Sequence, residues 1–188
     1  MKGIDISAWQ ENIDWQAVKD AGIGFVIIKL GESEYLDSMF IEHANNAVAA
    51  DLKIGVYYYA RATSEAEAQQ EADWVGAQIK QYLNGANPEM GIWYDMEDPS
   101  IADSGADITA LCGAFVNQMT SAGYTFVGVY SSYDWLTNKI DTAQLTVQYW
   151  CAQYNSECDF TSPSLKLWQY TDSLNIGGIN FDGNEYYA

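Results

Sequence analysis

Two alternating periodicities constrain the fold of this chain more than any other feature. Short runs rich in Val, Ile, Tyr and Trp recur from end to end, and the earlier gaps between them carry apolar residues at helical spacing. That pattern argues for strands joined by helical crossovers, hence a largely parallel sheet. Strands are predicted at 2–7, 24–30, 53–60, 90–96, 125–131, 145–152, 165–171 and 177–182, and helices at 13–21, 38–51, 64–83 and 107–123. Thr63 and Ser64 supply a cap for the third helix, and the last three helices end near Gly, Asn or Asp, as helix stops should. After residue 131 the rhythm changes. Only a short helix fits 132–140, and the last three strands follow one another through loops too short for full crossovers. Five β/α units followed by three strands suggest an α/β barrel related to the (β/α)8 type but poor in helices on one side. An open doubly wound sheet is the alternative, although no Gly-rich phosphate loop follows any predicted strand.

The 188 residues suffice for one domain, 1–188, with a full core. Twenty-six acidic residues against eight basic ones leave a net charge of −18, which repels nucleic acid phosphates and anionic membrane surfaces. No apolar run is long enough to span a bilayer, and the N-terminus lacks the apolar centre of a signal peptide. No nucleic acid partner and no membrane insertion are therefore expected. The three cysteines, Cys112, Cys151 and Cys158, cannot all pair and lack C-x-x-C spacing. Cys151 and Cys158 are close enough in sequence to bridge a short loop, but small buried side chains are the expected state. His43 is the only histidine, which argues against a Ser-His-Asp triad and a multi-histidine metal site. Acid-base chemistry then falls on carboxylates.

Residues 91–100, GIWYDMEDPS, place three acidic residues directly after an apolar-aromatic strand. Alternate strand residues share a face, so Asp95 and Glu97 point the same way, with α-carbons about 6–7 Å apart, while Met96 points the other way. They sit at the C-terminal edge, where parallel barrels build active sites. Asp5 occupies that level on the first strand, and Asp182 is expected at the end of the last, its neighbour in a closed barrel. Asp98, beside Pro99, reads as a turn residue. Clustered carboxylates cannot all ionise cheaply, so one keeps its proton near neutrality. A protonated carboxyl beside ionised ones is equipment for cleaving a glycosidic bond. A divalent cation site is the competing use, but no loop has calcium-binding spacing, and no metal or cofactor is expected. Trp9, Tyr57, Tyr59, Tyr130, Trp150 and Trp168 lie on or just after strand ends, where rings can stack on sugar faces.

Taken together, these residues resemble the lysozymes (N-acetylmuramidases) of glycoside hydrolase family 25. The resemblance runs through Asp5, Trp9-Gln10, Ile13-Asp14-Trp15 and Lys29, then KIGVYYYA, WYDMED, GVYSSYDWL, YWCAQY, LWQYT and INFDGN, in family order over nearly the whole chain. It implies a flattened TIM-like (β/α)5β3 barrel that hydrolyses the β-1,4 bond between N-acetylmuramic acid and N-acetylglucosamine in bacterial peptidoglycan. By the same resemblance Glu97 is the proton donor and Asp5, Asp95 and Asp182 are its acidic partners, while Lys29 and Gln153 join the aromatic residues in binding the glycan strand. Asp95 either stabilises the transition state or orients the 2-acetamido group. Also implied are a monomer acting at the bacterial cell wall, secreted or released as a phage endolysin. Two departures from the family pattern are Tyr57-Tyr58-Tyr59 in place of Tyr-His-Phe and an altered loop after Lys29. The alternative function is a catalytically silent peptidoglycan-binding module.

Overall fold

A computed structural model describes residues 1–187. In chain order the elements are β1 (Lys2–Ile6), α1 (Trp15–Asp20), β2 (Phe25–Glu32), β3 (Tyr35–Leu36), α2 (Phe40–Ala49), β4 (Lys53–Tyr59), α3 (Glu65–Tyr82), β5 (Ile92–Asp95), α4 (Pro99–Asp103), α5 (Ile108–Ser121), β6 (Val127–Ser132) and α6 (Tyr133–Asn138). A short 3-10 turn (Thr142–Gln144), β7 (Gln148–Ala152), β8 (Leu165–Ile176) and β9 (Ile179–Tyr186) complete the chain. The sheet order β1-β9-β8-β7-β6-β5-β4-β2 closes through a β1–β2 pairing into an eight-stranded barrel, with β3 folded back on β2 as a short hairpin. The α/β barrel expected from the alternating pattern is therefore the observed fold. Pairings from β1 through β2 and β4 to β8 are parallel, and β9 runs antiparallel to both of its neighbours.

Strand parity separates two apolar layers. Outward-facing Ile4, Ile6, Val26, Ile28, Leu30, Val56, Tyr58, Tyr94 and Met96 pack against the helices. Phe25, Ile27, Met90, Trp93, Tyr130, Trp150 and Leu167 fill the lumen. The lumen closes because large residues face small ones: Trp93 pairs with Gly128, where an added Cβ would lie 2.5 Å from the indole. With the lower barrel plugged, the inward-facing carboxyls are left at its upper mouth. Of the three free thiols, Cys112 and Cys151 are buried in the outer layer and Cys158 is half-buried against it.

Three sequence expectations change. The predicted strand 177–182 begins too early, because Gly177 and Gly178, at φ 61° and 88°, form the turn of a hairpin between β8 and β9. That strand also continues past Asp182, which lies in its middle rather than at its end. Asp98, expected as a turn residue, is instead the N-cap of α4, with Pro99 in the first turn of that helix and the Asp98 carboxylate accepting the Ser100 N–H at 2.8 Å. Among the described residues no helix is long and apolar enough to cross a membrane.

Candidate active site

The parity that buries Tyr94 and Met96 in the outer layer turns Asp95 and Glu97 inward. On β1 the same parity turns Asp5 inward, and antiparallel pairing places Asp182 directly across from it. The four carboxyls, with Tyr57, Tyr130, Trp150 and Gln169, line one cavity of about 70 Å³ at the barrel mouth. A larger hollow of about 550 Å³ lies between α2 and the end of α3, but it is lined by Phe40, Ile41, Ala44 and Val48 and holds no cluster of acids.

The four acids are not equivalent. Asp5 and Asp95 are buried, at 6% and 4% exposure, while Glu97 and Asp182 are half-buried and open to the cavity. Asp5 is the most tightly held: its Oδ2 accepts Asn184 Nδ2 at 2.6 Å and Gln169 Nε2 at 3.0 Å. Burial, and then the charge of Asp182, drive its pKa well above the carboxylate range despite those two donors. Asp182 is raised mainly by burial, while the hydrogen bond from Asp5 works the other way. Of the two, Asp5 is held further above the carboxylate range, by its deeper burial.

Asp95 has the opposite surroundings. Its Oδ1 is buried without a hydrogen-bond partner. Burial, then the charge of Glu97, hold its pKa well up, and Lys29 pulls against them. Glu97 is raised by burial first, then by Asp182 and Asp98, with Lys29 and the Tyr130 hydroxyl opposing. Two acids that both resist ionisation retain a proton between them into the range where free carboxylates have lost theirs.

Among the expected glycan-binding residues, Tyr57, Tyr130 and Trp150 line the cavity. Trp150 forms part of its base, 1% exposed, with Nε1 donating to Asn184 Oδ1 at 2.8 Å. Tyr59 and Lys29 stand at the rim, with Lys29 Nζ 5.3 Å from the Tyr59 ring centroid. Trp9, at 90% exposure, projects from the loop after β1. Trp168 and Gln153 do not line the cavity. The Trp168 indole donates to the Gln153 carbonyl at 2.7 Å, and the Gln153 amide is engaged with Asp159, donating to its Oδ2 at 2.6 Å and accepting its N–H at 2.7 Å. Both stiffen the loop after β7.

That loop carries Tyr154, whose hydroxyl donates to Gln169 Oε1 at 3.1 Å, beside the Tyr130 hydroxyl at 3.0 Å. Gln169, Asn184 and Tyr154 escaped the sequence reading as site residues. Parity could have found the first two, since Gln169 follows Leu167 and Asn184 follows Asp182 at a spacing of two.

The family model for glycosyl hydrolases family 25 matches residues 4–179. An autolytic lysozyme of Clostridium acetobutylicum is 29% identical over 184 residues, 96% of this chain and 53% of that protein, so the chain spans about half the length of this curated relative. Among solved structures, the modular autolysin LytC from Streptococcus pneumoniae, in complex with synthetic peptidoglycan ligand, superposes with a TM-score of 0.84 and 26% identity, covering 99% of this chain and 46% of LytC. A bacterial lysozyme from Streptomyces coelicolor superposes at 0.81 with 26% identity, covering 100% of this chain and 92% of its own.

Proposed function

Because the chain belongs to the glycosyl hydrolases of family 25, we propose that it is a lysozyme that cleaves the β-1,4 bond between N-acetylmuramic acid and N-acetylglucosamine in bacterial peptidoglycan. The observation that carries the reading is the unequal pair at the cavity: Glu97 reachable and proton-retaining, Asp95 buried with an unsatisfied acceptor. A buried acceptor without a donor calls for one from the substrate, and the N–H of the 2-acetamido group supplies it. That hydrogen bond favours the ionised form of Asp95 and leaves the shared proton on Glu97.

Glu97 then donates its proton to the glycosidic oxygen as the C1–O bond breaks. The acetamido carbonyl oxygen bonds to C1 from the opposite face, and the Asp95 carboxylate offsets the positive charge that develops there. Water opens this ring intermediate, giving its proton back to Glu97 and leaving the anomeric configuration retained. Asp5 and Asp182 hold the second proton and complete the acidic wall. Tyr57, Tyr130, Tyr59, Trp9 and Lys29 provide the glycan contacts. No metal or cofactor takes part in this scheme.

The test is Glu97→Gln, which keeps the shape and removes the proton. Purified peptidoglycan treated with the wild type gains reducing ends that yield muramitol after borohydride reduction. The variant melts at a similar temperature and loses at least ~100-fold of the activity. Lysis by the variant at the wild-type rate refutes the role of Glu97. Glucosaminitol as the product refutes the bond assignment, and binding without new reducing ends leaves a silent glycan-binding module.

A further inference from the structure

Four charged side chains form one chain of contacts along the β2–β4–β5 side of the barrel mouth. The Arg61 guanidinium, two residues beyond β4, donates through Nη1 to Asp98 Oδ2 and through Nη2 to Glu32 Oε1 at 3.2 Å. Glu32 accepts Lys29 Nζ on its other oxygen at 2.6 Å. Both cations lie over the Tyr59 ring, Lys29 Nζ at 5.3 Å and Arg61 Cζ at 4.7 Å from its centroid. The base of Arg61 is fixed from beneath. Its main-chain N–H donates at 2.9 Å to Glu71 Oε1, a carboxylate buried on α3 whose Oε2 takes the Tyr94 hydroxyl at 2.5 Å. Asp98 is fully engaged, one oxygen capping α4 through Ser100 and the other on Arg61.

We infer that Arg61 is a positioning residue for Glu97: it holds the Asp98 carboxylate, next in sequence to Glu97, outside the cavity and compensated, and through Glu32 it fixes Lys29 beside Asp95 and Glu97. The inference rests on Glu97 being the acid. Charged and titratable groups face Glu97 from every side: Asp5 on β1, Lys29 and Glu32 on β2, Tyr59 and Arg61 on β4 and its loop, Asp95 and Asp98 on β5 and its loop. Tyr57 on β4, Tyr130 on β6, Tyr154 after β7 and Asp182 on β9 close the ring, with the exposed Asp172 behind Asp182. Lys29 and Arg61 are the only cations among these groups. Asp98 acts to raise Glu97. Burial pushes Asp98 itself upward, but the Ser100 contacts and Arg61 outweigh it and hold it low, so its charge persists. An ionised Asp98 without its cation makes Glu97 harder to ionise, and Glu32, bonded then to Lys29 alone, loses the second contact that fixes its position.

The test pairs Arg61→Gln with Asp98→Asn, and adds Arg61→Lys as the conservative control. Side-chain 13C titration follows the Glu97 carboxyl directly, and the pH profile of peptidoglycan hydrolysis is measured alongside. Arg61→Gln moves the Glu97 midpoint upward and Asp98→Asn moves it downward, each on the order of half a pH unit, with Arg61→Lys between Gln and wild type. The alkaline limb of the rate profile follows the same signs. A purely structural role lowers activity in both variants without opposite displacements, and midpoints that stay put or move together overturn the inference. Midpoints that separate as stated while the alkaline limb ignores them support the inference about Arg61 and refute Glu97 as the acid. A melting curve for each variant confirms that the titrations report on folded protein.

Discussion

Asp5 shows what an acid costs when it is kept for function. Its folded pKa is raised above the unfolded value of about 3.9, so the folded state binds the proton more tightly than the unfolded chain. Stability from this group is fully present below that unfolded value and is lost as pH rises toward the folded one. Asparagine reproduces the protonated geometry, with an oxygen for Asn184 and Gln169 and an N–H for Asp182, and it never ionises. Asp5→Asn is therefore expected to raise stability at pH 7 by about 1 kcal/mol or more, about 2–4 °C in Tm, while lowering hydrolysis. At pH 4 the gain in Tm shrinks toward zero. Thermal melts at both pH values decide it, and an equal gain at both contradicts a buried ionisation. At this scale legibility follows charge and spacing. Asp5, Asp95 and Glu97 stand out because strands rarely carry them, whereas Arg61 and Glu71 resemble ordinary loop and helix-surface residues until tertiary packing buries one and gives the other its partners.

Elements carry the lumen packing on which the acids rest. An added Cβ at Gly128 would meet the Trp93 ring at 2.5 Å and the Gln148 carbonyl oxygen at the same distance, and backbone cannot yield as a side chain can. Trp93 in turn stands edge-on to Trp150, with centroids 5.8 Å apart, and Trp150 forms part of the cavity base. Gly128→Ala is expected to destabilise by about 2–3 kcal/mol through overpacking, read as a fall in urea midpoint, and to reduce hydrolysis by displacing that base. A variant with unchanged stability would mean that the lumen has slack. Period-two alternation made the position and facing of β5 legible, although the strand is Ile92–Asp95 and not 90–96, because its outward positions are apolar or aromatic and its inward ones turn acidic only at the mouth. The end of the chain was harder to read. In β9 the inward positions Asp182 and Asn184 are polar, so the hydrophobic signal stops while the strand continues, and the paired glycines mark a hairpin turn only once the antiparallel partner is known. The antiparallel direction of β9 moved Asp182 to mid-strand without removing it from the mouth, since pairing with β1 still sets it opposite Asp5. Helix α4 was hidden because Asp-Pro is a turn signal as often as a capped helix start.

Across the whole molecule, 26 acidic residues face eight basic ones, and two of those eight, Lys29 and Arg61, are committed to ion pairs at the mouth. The proposed substrate is bacterial peptidoglycan, and the walls of Gram-positive bacteria that carry it are polyanionic. Approach is therefore between like charges, and the repulsion acts over distances that salt controls: about 30 Å at 0.01 M but about 10 Å at 0.1 M. The ion pairs at the mouth respond less, because Asp98 is mostly shielded, at 9% side-chain exposure, and the Glu32–Lys29 contact is 2.6 Å. Raising ionic strength from ~0.01 to ~0.1 M should then speed lysis of whole cells while leaving the turnover of a short soluble oligosaccharide of alternating N-acetylglucosamine and N-acetylmuramic acid, which carries few charges, nearly unchanged. Comparing the two substrates over one salt series separates encounter from chemistry. A monotonic fall in whole-cell lysis from the lowest salt would mean that a local cationic surface, and not the net charge of −18, governs the encounter.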